Sequence, residues 1–340
     1  MKSLRHYICA AYGGAALVLL TACASQGINY ATPTTNASAL SRPSAQSDCP
    51  LHHCIIVADG TEKRSRSGSI LFFARDASGN AAPVGAIEGS STQLDYPTGL
   101  AMSADGTLYA ANLIGPTVTV YPKGATGDVA PIRTIAGTKT KLAEPTGVAL
   151  DAAGKLFVSN SGNNSITVYP KGANGNVSPV RTISGDKTML SYPWGIALDS
   201  KSNIYVSDGS SITVYPPDAV GNAAPKRRIS GNLSQLVEAE GITVDAAGYI
   251  YVVDWDAYEL DVFAPNSNGN VAPGRQDSGG LYGPDGVALD ASGKTYVSNG
   301  CQDDPAFIFV YAAGANNVAP LRAIRGQKPP LYCFTNLIVR

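Results

Sequence analysis

Residues 145–185 read PTGVALDAAGKLFVSNSGNNSITVYPKGANGNVSPVRTISG, and copies of this unit fill most of the chain from residue 55 to the C-terminus. Inside the unit, an apolar run ends at Asp151 and Gly154, which favour a tight turn. Two further runs alternate and are rich in β-branched residues, and a fourth contains Pro179, which lacks a ladder donor and belongs on a sheet edge. Each unit is therefore predicted to be a four-stranded antiparallel meander.

The copies are in register with one another. The glycine near the start of the first strand recurs every 45 to 48 residues. The second strand is predicted to end with Asn or Asp, 13 residues after each glycine. These end positions are Asn112, Asn160, Asp208, Asp254 and Asn299. Five complete copies are thus defined.

A sixth copy is divided between the two ends of the chain. Residues 55–59, 69–73 and 82–87 match strands two, three and four, and no first strand precedes them. A matching first strand occurs at residues 334–339. A ring closed by its own ends pairs edges that would otherwise stay open. The sequence predicts an all-β fold, a six-bladed β-propeller whose N-terminal blade is completed by the C-terminal strand.

The repeat resembles that of the NHL-repeat propellers. The resemblance is carried by Pro-x-Gly-[Val/Ile]-Ala-[Leu/Val]-Asp, Gly-x-[Leu/Ile]-[Tyr/Phe]-Val-[Ser/Val]-[Asn/Asp] and Asn-x-Ile-x-Val-Tyr, and it covers residues 55–339. Such repeats serve both as binding scaffolds and as enzyme bodies, so the resemblance implies a fold and leaves the function open.

The N-terminal segment is typical of an exported protein. Residues 1–22 combine basic residues with an apolar core too short to span a bilayer, as in a signal peptide. Leu20-Thr21-Ala22-Cys23 resembles the lipobox of bacterial lipoproteins, which implies an acylated Cys23. An ordinary signal peptide and an uncleaved anchor are the alternatives. The absence of Asp at position 24 favours the outer membrane if the cell is Gram-negative.

The mature chain is expected to have two parts. Residues 23–48 hold the lipidation site and a tether rich in Ala, Ser, Thr, Asn and Pro, with too few large apolar residues to bury a core. Residues 49–340 form the propeller, which we expect to be a monomer.

Composition limits the partners. The chain carries a net charge of −1 with 15% charged residues, so it has no basic field for nucleic acid. An arginine follows each fourth-strand proline by two residues, a spacing that indicates protection of the outer edges. These residues are Arg133, Arg181, Arg227, Arg275 and Arg322.

Four cysteines remain besides Cys9 in the signal segment and Cys23. They are Cys49, Cys54, Cys301 and Cys333. An even number in an exported protein suggests two disulfides, with three possible connectivities. The end of strand two and the start of strand one share a face in a meander, so the topology favours Cys301–Cys333, which leaves Cys49–Cys54. Free thiols are the alternative.

Polar residues of the repeat should meet on one face, around the mouth of the central channel. The candidates are Asp59, Asn112, Asn160, Trp194, Asp208, Glu240, Asp254, Asp285 and Asn299. Asp208, Glu240, Asp254 and Asp285 could supply oxygen ligands for Ca²⁺ or another divalent cation, although no cofactor is certain. Alternatively, Asn and Asp at the end of strand two cap the turn that follows. Trp194 either stacks on a ligand ring or packs on the next blade.

Histidine is absent from the repeats. The three histidines are His6, His52 and His53, so a histidine-based zinc site or a Ser-His-Asp triad has no position in the propeller. We therefore predict a lipid-anchored scaffold in the cell envelope that binds a protein, a glycan or a small ligand. The alternative is a hydrolase that resembles the gluconolactonase-type lactonases, with a divalent cation at the acidic residues.

Overall fold

The described residues form six four-stranded antiparallel sheets arranged as the blades of a propeller. The structure is a computed structural model that describes residues 54–60, 68–300, 306–325 and 333–340. All of them belong to one compact unit, Ser47–Arg340. The predicted all-β six-bladed fold is confirmed. Cys23, Cys49, Cys301, the signal segment and the tether lie outside the described residues.

The strands follow one another in chain order within each blade. Blade one contains β1 (Cys54–Asp59), β2 (Ser69–Ala74) and β3 (Gly85–Ile87). Blade two contains β4 (Pro97–Met102), β5 (Leu108–Asn112), β6 (Thr117–Tyr121) and β7 (Arg133–Ile135). Blade three contains β8 (Pro145–Leu150), β9 (Leu156–Asn160), β10 (Ser165–Tyr169) and β11 (Arg181–Ser184). Blade four contains β12 (Pro193–Leu198), β13 (Ile204–Asp208), β14 (Ser211–Tyr215) and β15 (Arg227–Ser230).

Blades five and six repeat this order. Blade five contains β16 (Ala239–Val244), β17 (Ile250–Asp254), β18 (Glu259–Phe263) and β19 (Arg275–Asp277). Blade six contains β20 (Pro284–Leu289), β21 (Thr295–Asn299), β22 (Phe307–Tyr311) and β23 (Arg322–Ile324), and β24 (Phe334–Val339) completes blade one. Two single-turn 3₁₀ helices, Ser161–Asn163 and Asp186–Thr188, interrupt loops. No helix among the described residues is long and apolar enough to cross a membrane.

The C-terminal strand closes the ring as the sequence predicts. β24 pairs antiparallel with β1 through Ile56↔Ile338 and Val57↔Leu337. The amide of Asn336 also reaches the next blade, where its Oδ1 accepts a hydrogen bond from the Leu100 backbone N–H at 3.3 Å. The closing strand is thus held by a ladder on one side and by blade two on the other.

The outer edges are covered by loops rather than left open. In blades one to five a glycine in the loop before the fourth strand pairs in parallel with the fourth strand of the preceding blade, as in Ile135↔Gly175. In blade six, Asn317 N donates to Gln276 O of blade five at 2.8 Å instead. The pair Gly79↔Ile324 lies between blades one and six, so the ring also closes at its rim. The sequence predicts that Pro179 lies inside the fourth strand, but β11 begins only at Arg181, since the preceding residues belong to this covering loop.

Three of the five recurrent arginines, Arg181, Arg227 and Arg322, donate to backbone carbonyl groups of the next blade. Arg133 and Arg275 donate to tyrosine hydroxyls of their own blades. The guanidinium of Arg181 lies 5.6 Å from the Phe157 ring centroid and donates to Pro217 O at 2.6 Å. Arg227 likewise donates to Ser267 O at 3.1 Å. These half-buried side chains therefore contribute to the blade interfaces as well as to the rim.

The hydrophobic core lies between blades. A typical cluster joins Phe157 and Ile166 of blade three to Ile196 and Tyr215 of blade four, and corresponding clusters fill the other five interfaces. Burial of each large side chain stabilises the fold by about 1.5–3 kcal/mol. The hydroxyl of buried Tyr169 also donates to Thr140 O at 2.5 Å, in the loop that enters its blade.

Removal of β24 should destroy the closure. A chain that ends at residue 332 is expected to unfold or to associate, because β1 loses its ladder partner and exposes an edge. Thermal unfolding and size-exclusion chromatography with light scattering measure both effects. Deletion of Arg340 alone, which keeps β24, is the control. A truncated chain that stays monomeric and melts like the intact protein would contradict the closure model.

Candidate functional site

The predicted site residues lie on one face of the ring, which we call the upper face. It carries the starts of the first strands and the ends of the second strands, because these pair directly, as in Pro97↔Asn112 and Ala239↔Asp254. The loops that enter each blade and the turns between strands two and three border the same face. The upper face is therefore built from equivalent positions of every blade.

The Asn or Asp at the end of strand two caps a loop, but not chiefly the one expected. In blades two to six its side-chain oxygen accepts a backbone N–H located 16 or 17 residues earlier, in the loop that enters the same blade. Asn160 Oδ1, for example, accepts from Ala143 N at 3.2 Å. Asp254 also caps the turn that follows, accepting from Ala257 N at 3.0 Å. The Asn or Asp side chain thus holds the loop that leads into strand one, because the backbone N–H groups of that loop have no partner in a β-ladder.

A second set of residues lies one position before the recurrent glycine of the first strand in blades two to six, and before Asn336 in blade one. In blades one to three these residues are threonines, and Thr98 donates its hydroxyl to Pro145 O of the next blade at 3.0 Å. Thr335 of the closing strand donates to Pro97 O at 2.7 Å in the same way. In blades four, five and six the equivalent positions hold Trp194, Glu240 and Asp285.

The inner strands approach one another too closely for these side chains to be exposed. A Cβ on Gly195 would lie 2.4 Å from Glu240 O, and one on Gly241 would lie 2.5 Å from Asp285 O. Trp194, Glu240 and Asp285 are buried as a result. The structure thus places Trp194 beneath the upper face, where it stacks on the half-buried Tyr192 with ring centroids 6.0 Å apart.

Glu240 and Asp285 form a buried carboxyl pair. They share a side-chain hydrogen bond, and Asp285 also accepts one from the Trp194 side chain. Burial is the main cause that raises the pKa of both groups well above their ordinary values. A hydrogen bond between two carboxyl groups requires a proton, so the pair holds one proton between its two members. Glu240 Oε2 has no hydrogen-bond partner among the described residues.

More carboxyl groups surround this pair in blade five. Gln276 Nε2 donates to Asp261 Oδ1 at 2.9 Å and to Glu259 Oε2 at 3.1 Å. Burial raises the pKa of Asp261 to about 7 and, together with Asp254, raises that of Glu259. Burial also raises the pKa of Asp254 although three backbone N–H groups hydrogen-bond to it. In blade four, burial raises the pKa of Asp208 to about 6.

The carboxyl groups do not converge on a metal. Within the described part of the chain, no group of three or more His, Cys, Asp or Glu residues is arranged to hold a metal ion. Asp208 and Asp254 each use at least one oxygen to cap a loop, through Ser191 N and Val237 N, and Glu240 and Asp285 are directed at each other.

Two features of this region are not predicted from the sequence. Tyr258 and Tyr282 stack at the surface with ring centroids 5.0 Å apart and an interplanar angle of 22°. Tyr258 belongs to the turn after β17 and Tyr282 to the loop before β20, so the pair spans blades five and six. Asp261 replaces the threonine of earlier blades inside a strand. Both depart from the repeat at single positions, and that departure is the only signal in the sequence.

The cysteines occupy the two ends of one ladder. Cys54 O accepts from Arg340 N, whereas Cys333 O accepts from Gly60 N at the other end of the β1 and β24 pair. The separation is too long for a disulfide between Cys54 and Cys333. Each predicted bond, Cys49–Cys54 and Cys301–Cys333, includes one residue outside the described ranges, so both stay predictions.

Residues 142–169 match the family model of the NHL repeat, which supports the resemblance found in the sequence. No curated protein matches the amino-acid sequence significantly. A solved structure of a protein of unknown function from Bacteroides caccae is similar with a TM-score of 0.62 and 12% identity, over 85% of this chain and 99% of that chain. A functionally unknown protein from Desulfotomaculum acetoxidans gives a TM-score of 0.55 and 13% identity, over 85% and 99%.

A putative 6-phosphogluconolactonase from Bacteroides fragilis is also similar, with a TM-score of 0.53 and 16% identity, over 84% of this chain and 85% of that chain. Identities this low describe a shared fold alone.

The buried pair should make stability depend on pH. A carboxyl whose pKa is raised by folding binds its proton more tightly in the native state, so its contribution to stability is complete below the unfolded pKa and is lost as the pH rises. We expect the free energy of unfolding to fall above the ordinary Glu value of 4.5, by at most about 1.4 kcal/mol per pH unit for each such proton.

In Glu240→Gln the free energy of unfolding should fall less steeply with rising pH than in the wild type. The Gln amide can donate a hydrogen bond to Asp285 but has no proton to lose. Urea unfolding between about pH 5 and pH 8 measures the two slopes. Asp256→Asn, at an exposed carboxyl of the same blade, should follow the wild type. Parallel curves for wild type and Glu240→Gln would contradict the shared-proton geometry.

Proposed function

We propose that this protein is a lipid-anchored binding scaffold of the cell envelope, and that it recognises its partner through the upper face of blades four to six. The observation that carries the proposal is the uneven distribution of side chains around a nearly uniform ring. Blades two and three repeat Thr and Asn at these positions, whereas blades four to six carry the buried residues Trp194, Glu240, Asp254 and Asp285. Blades five and six also expose the stacked pair Tyr258 and Tyr282 on the upper face. A face that departs from its own repeat in one sector and exposes aromatic rings there is suited to recognition of a partner.

The anchor follows from the N-terminal sequence. The order of basic residues, a short apolar core and Leu20-Thr21-Ala22-Cys23 supports export and acylation of Cys23. The polar segment after Cys23 then serves as a flexible tether between the lipid and the propeller. The outer membrane is the favoured address if the cell is Gram-negative. The propeller acts as a monomer, since β24 and the rim loops occupy the edges through which blades would associate.

Aromatic side chains supply the contact area. Tyr258 and Tyr282 stack at the surface, and a Cβ on Gly283 would lie 3.1 Å from the Trp255 ring, so the exposed pair stands beside a buried indole. Rigid aromatic surfaces that are partly exposed bind protein side chains, sugar rings and small planar ligands. The partner is therefore a protein, a glycan or a small ligand.

A divalent-cation-dependent lactonase is the second candidate, because one protein of similar fold is named as a lactonase and the upper face holds carboxyl groups. The residues present do not fit the cation. Asp208, Glu240, Asp254 and Asp285 are engaged with loop N–H groups or with each other, and the described residues contain no cluster of metal-ligating side chains. We derive no hydrolytic step from this arrangement.

A photo-crosslinking residue should report the binding face. We expect p-benzoyl-phenylalanine at position 258 to give a discrete adduct in the native cells, because Tyr258 lies exposed on the upper face. The same residue at position 249, an equally exposed tyrosine in the opposite hairpin of blade five, should give none. Denaturing gels of the isolated envelope measure the adducts.

The same cells test the anchor. Cys23→Ser should move the protein from the membrane fraction to the soluble fraction, because the acyl chains are lost. Membrane retention of Cys23→Ser would overturn the lipid anchor.

The crosslinking experiment has its own contradicting outcomes. Adducts of equal yield from positions 249 and 258, or no adduct from position 258, would overturn the proposal that the partner binds the upper face.

Added cations should not stabilise the protein specifically. We expect Ca²⁺, Mg²⁺, Mn²⁺ and Zn²⁺ to leave the melting temperature unchanged after chelation, since a ligand raises it only by binding the native state. Differential scanning calorimetry measures the shift. A saturable rise with one cation that disappears in Glu240→Gln, but persists in the exposed control Asp256→Asn, would instead favour the hydrolase.

A further inference from the structure

The outer edge of the propeller carries exposed aliphatic side chains at one recurrent position in four consecutive blades. This position follows the proline before each fourth strand, and its backbone N–H donates to the far end of the third strand, as Ile132 N does to Val120 O at 2.8 Å. It therefore lies at the end of the blade opposite the upper face. In blades six, one, two and three the residue is aliphatic and 47% to 60% exposed: Leu321, Val84, Ile132 and Val180. We call these four residues the apolar arc. Blades four and five have Lys226 and Gly274 instead.

Two further aliphatic side chains flank the apolar arc. Val318 and Val220 belong to the loops that cover the outer edges of blades five and three, and they are 47% and 60% exposed. Single aliphatic residues on a surface are normal. A repeat position that is aliphatic in four adjacent blades, and not in the other two, instead marks one side of the molecule. Extended apolar surface on a folded domain indicates contact with another protein or with a membrane.

The N-terminal segment joins the propeller beside the apolar arc. β1 begins at Cys54, which pairs with Ala74 of β2, and Val84 N donates to Phe72 O of the same strand at 2.7 Å. Cys54 and Val84 therefore lie on opposite sides of β2, about 10 Å apart, at the end of blade one that is opposite the upper face. Residues 24–53 connect this strand to Cys23. A coil of about 30 residues has a root-mean-square length of about 30 Å, so a lipid on Cys23 holds blade one close to the bilayer.

Two of the three cations beside the arc interact with carboxylates. The loops that leave the third strands of blades one to three each contain a cation: Arg75, Lys123 and Lys171. Arg75 forms a salt bridge with Asp290 at 3.7 Å. The pKa of Asp105 is lowered by a hydrogen bond from Ser103 and also by the charge of Lys171. The contact that the arc makes is therefore expected to depend on its aliphatic side chains more than on the charge of its partner.

We propose that the apolar arc rests on the surface of the bilayer that holds the lipid anchor. Aliphatic side chains are stabilised when they leave water for the lipid interface, and the anchor keeps them at a high effective concentration there, so a weak contact suffices to orient the propeller. Blades one and two then lie nearest the membrane, and the upper face of blades four and five points away from it, toward a partner. The inference goes beyond the proposed function and rests on one part of it, the lipid anchor.

Tryptophan substitution at equivalent positions tests this orientation. The full lipidated chain is reconstituted into phosphatidylcholine vesicles with brominated acyl chains, which quench tryptophan in the interface. The native Trp194 and Trp255 are 4% and 5% exposed and give a constant background. Ile132→Trp should be quenched at least about twofold more strongly than Lys226→Trp, the same position in blade four. Tryptophan itself favours the interface, so both variants carry the same bias. Equal quenching of the two variants, or none at position 132, would overturn the inference.

Charge placed on the arc should release it from the bilayer. The double variant Val84→Asp with Ile132→Asp, with Val180→Trp as the reporter, should lose at least about half of the quenching, because carboxylates resist transfer out of water. Lys226→Asp with the same reporter is the matched control and should lose none. Both variants should melt like the parent, since the substituted side chains are exposed. Full quenching in the double variant would overturn the role of the aliphatic side chains.

Two outcomes would assign the arc to another occupant and thereby overturn the inference. The first is quenching that requires anionic phosphatidylglycerol and disappears at high salt, which indicates an electrostatic contact. The second is emission at position 132 that shifts to the blue with rising protein density but ignores brominated lipid, which indicates a second copy of the chain.

Flotation of Cys23→Ser with the same vesicles separates the arc from the anchor. Release of Cys23→Ser, combined with equal quenching at positions 132 and 226 in the lipidated chain, would overturn the arc and leave the anchor. A Cys23→Ser chain that floats with the vesicles and is still quenched at position 132 would overturn the anchor and support the arc.

Discussion

The close approach of the six inner strands is the constraint on which the rest of the structure depends. At Gly99, Gly147, Gly195, Gly241 and Gly286 an added Cβ would lie within 2.4 to 2.8 Å of the neighbouring strand. At these five positions the strands can approach so closely only because the glycines carry no side chain. The sixth inner strand, β24, has Asn336 there, and its side chain accepts a hydrogen bond from Leu100 N. The close approach of the strands allows the threonine hydroxyls to reach carbonyl groups of the next blade, and it buries whatever stands beside each glycine. The same contact that closes the ring therefore determines which polar groups lose water.

Burial of the residue before the recurrent glycine has different consequences in different blades. In a threonine such as Thr98, one hydrogen bond to the neighbouring blade offsets the free energy that the hydroxyl loses when it leaves water. Glu240 and Asp285 cannot do so while both are ionised, because two desolvated carboxylates repel each other. They share a proton instead, and the Trp194 side chain satisfies part of Asp285. Substitution of three residues in an otherwise regular ring thus converts a purely structural contact into a titratable one.

The sequence predicts the architecture well because its determinants are periodic. The ends of the second strands and the bounds of the closing strand, Phe334–Val339, follow from recurring residue types at fixed offsets. The outer strands are predicted less well: β11 starts at Arg181 because pairing with the neighbouring blade, which is not local in sequence, competes for the residues before it. The cap of strand two acts on a loop 17 residues upstream for the same reason, since only the folded meander brings Asn160 to Ala143.

The candidate site is the part of the molecule that periodicity cannot predict. Tyr258 and Tyr282 come from different blades and become a pair only when blades five and six pack. The recurrent arginines, by contrast, are placed by the repeat: they lie at the rim, where Arg227 and Arg275 hydrogen-bond to Tyr205 and Tyr251. The repeat thus determines where the regular cations stand, whereas single departures from it determine where the carboxyl and aromatic groups of blades five and six stand.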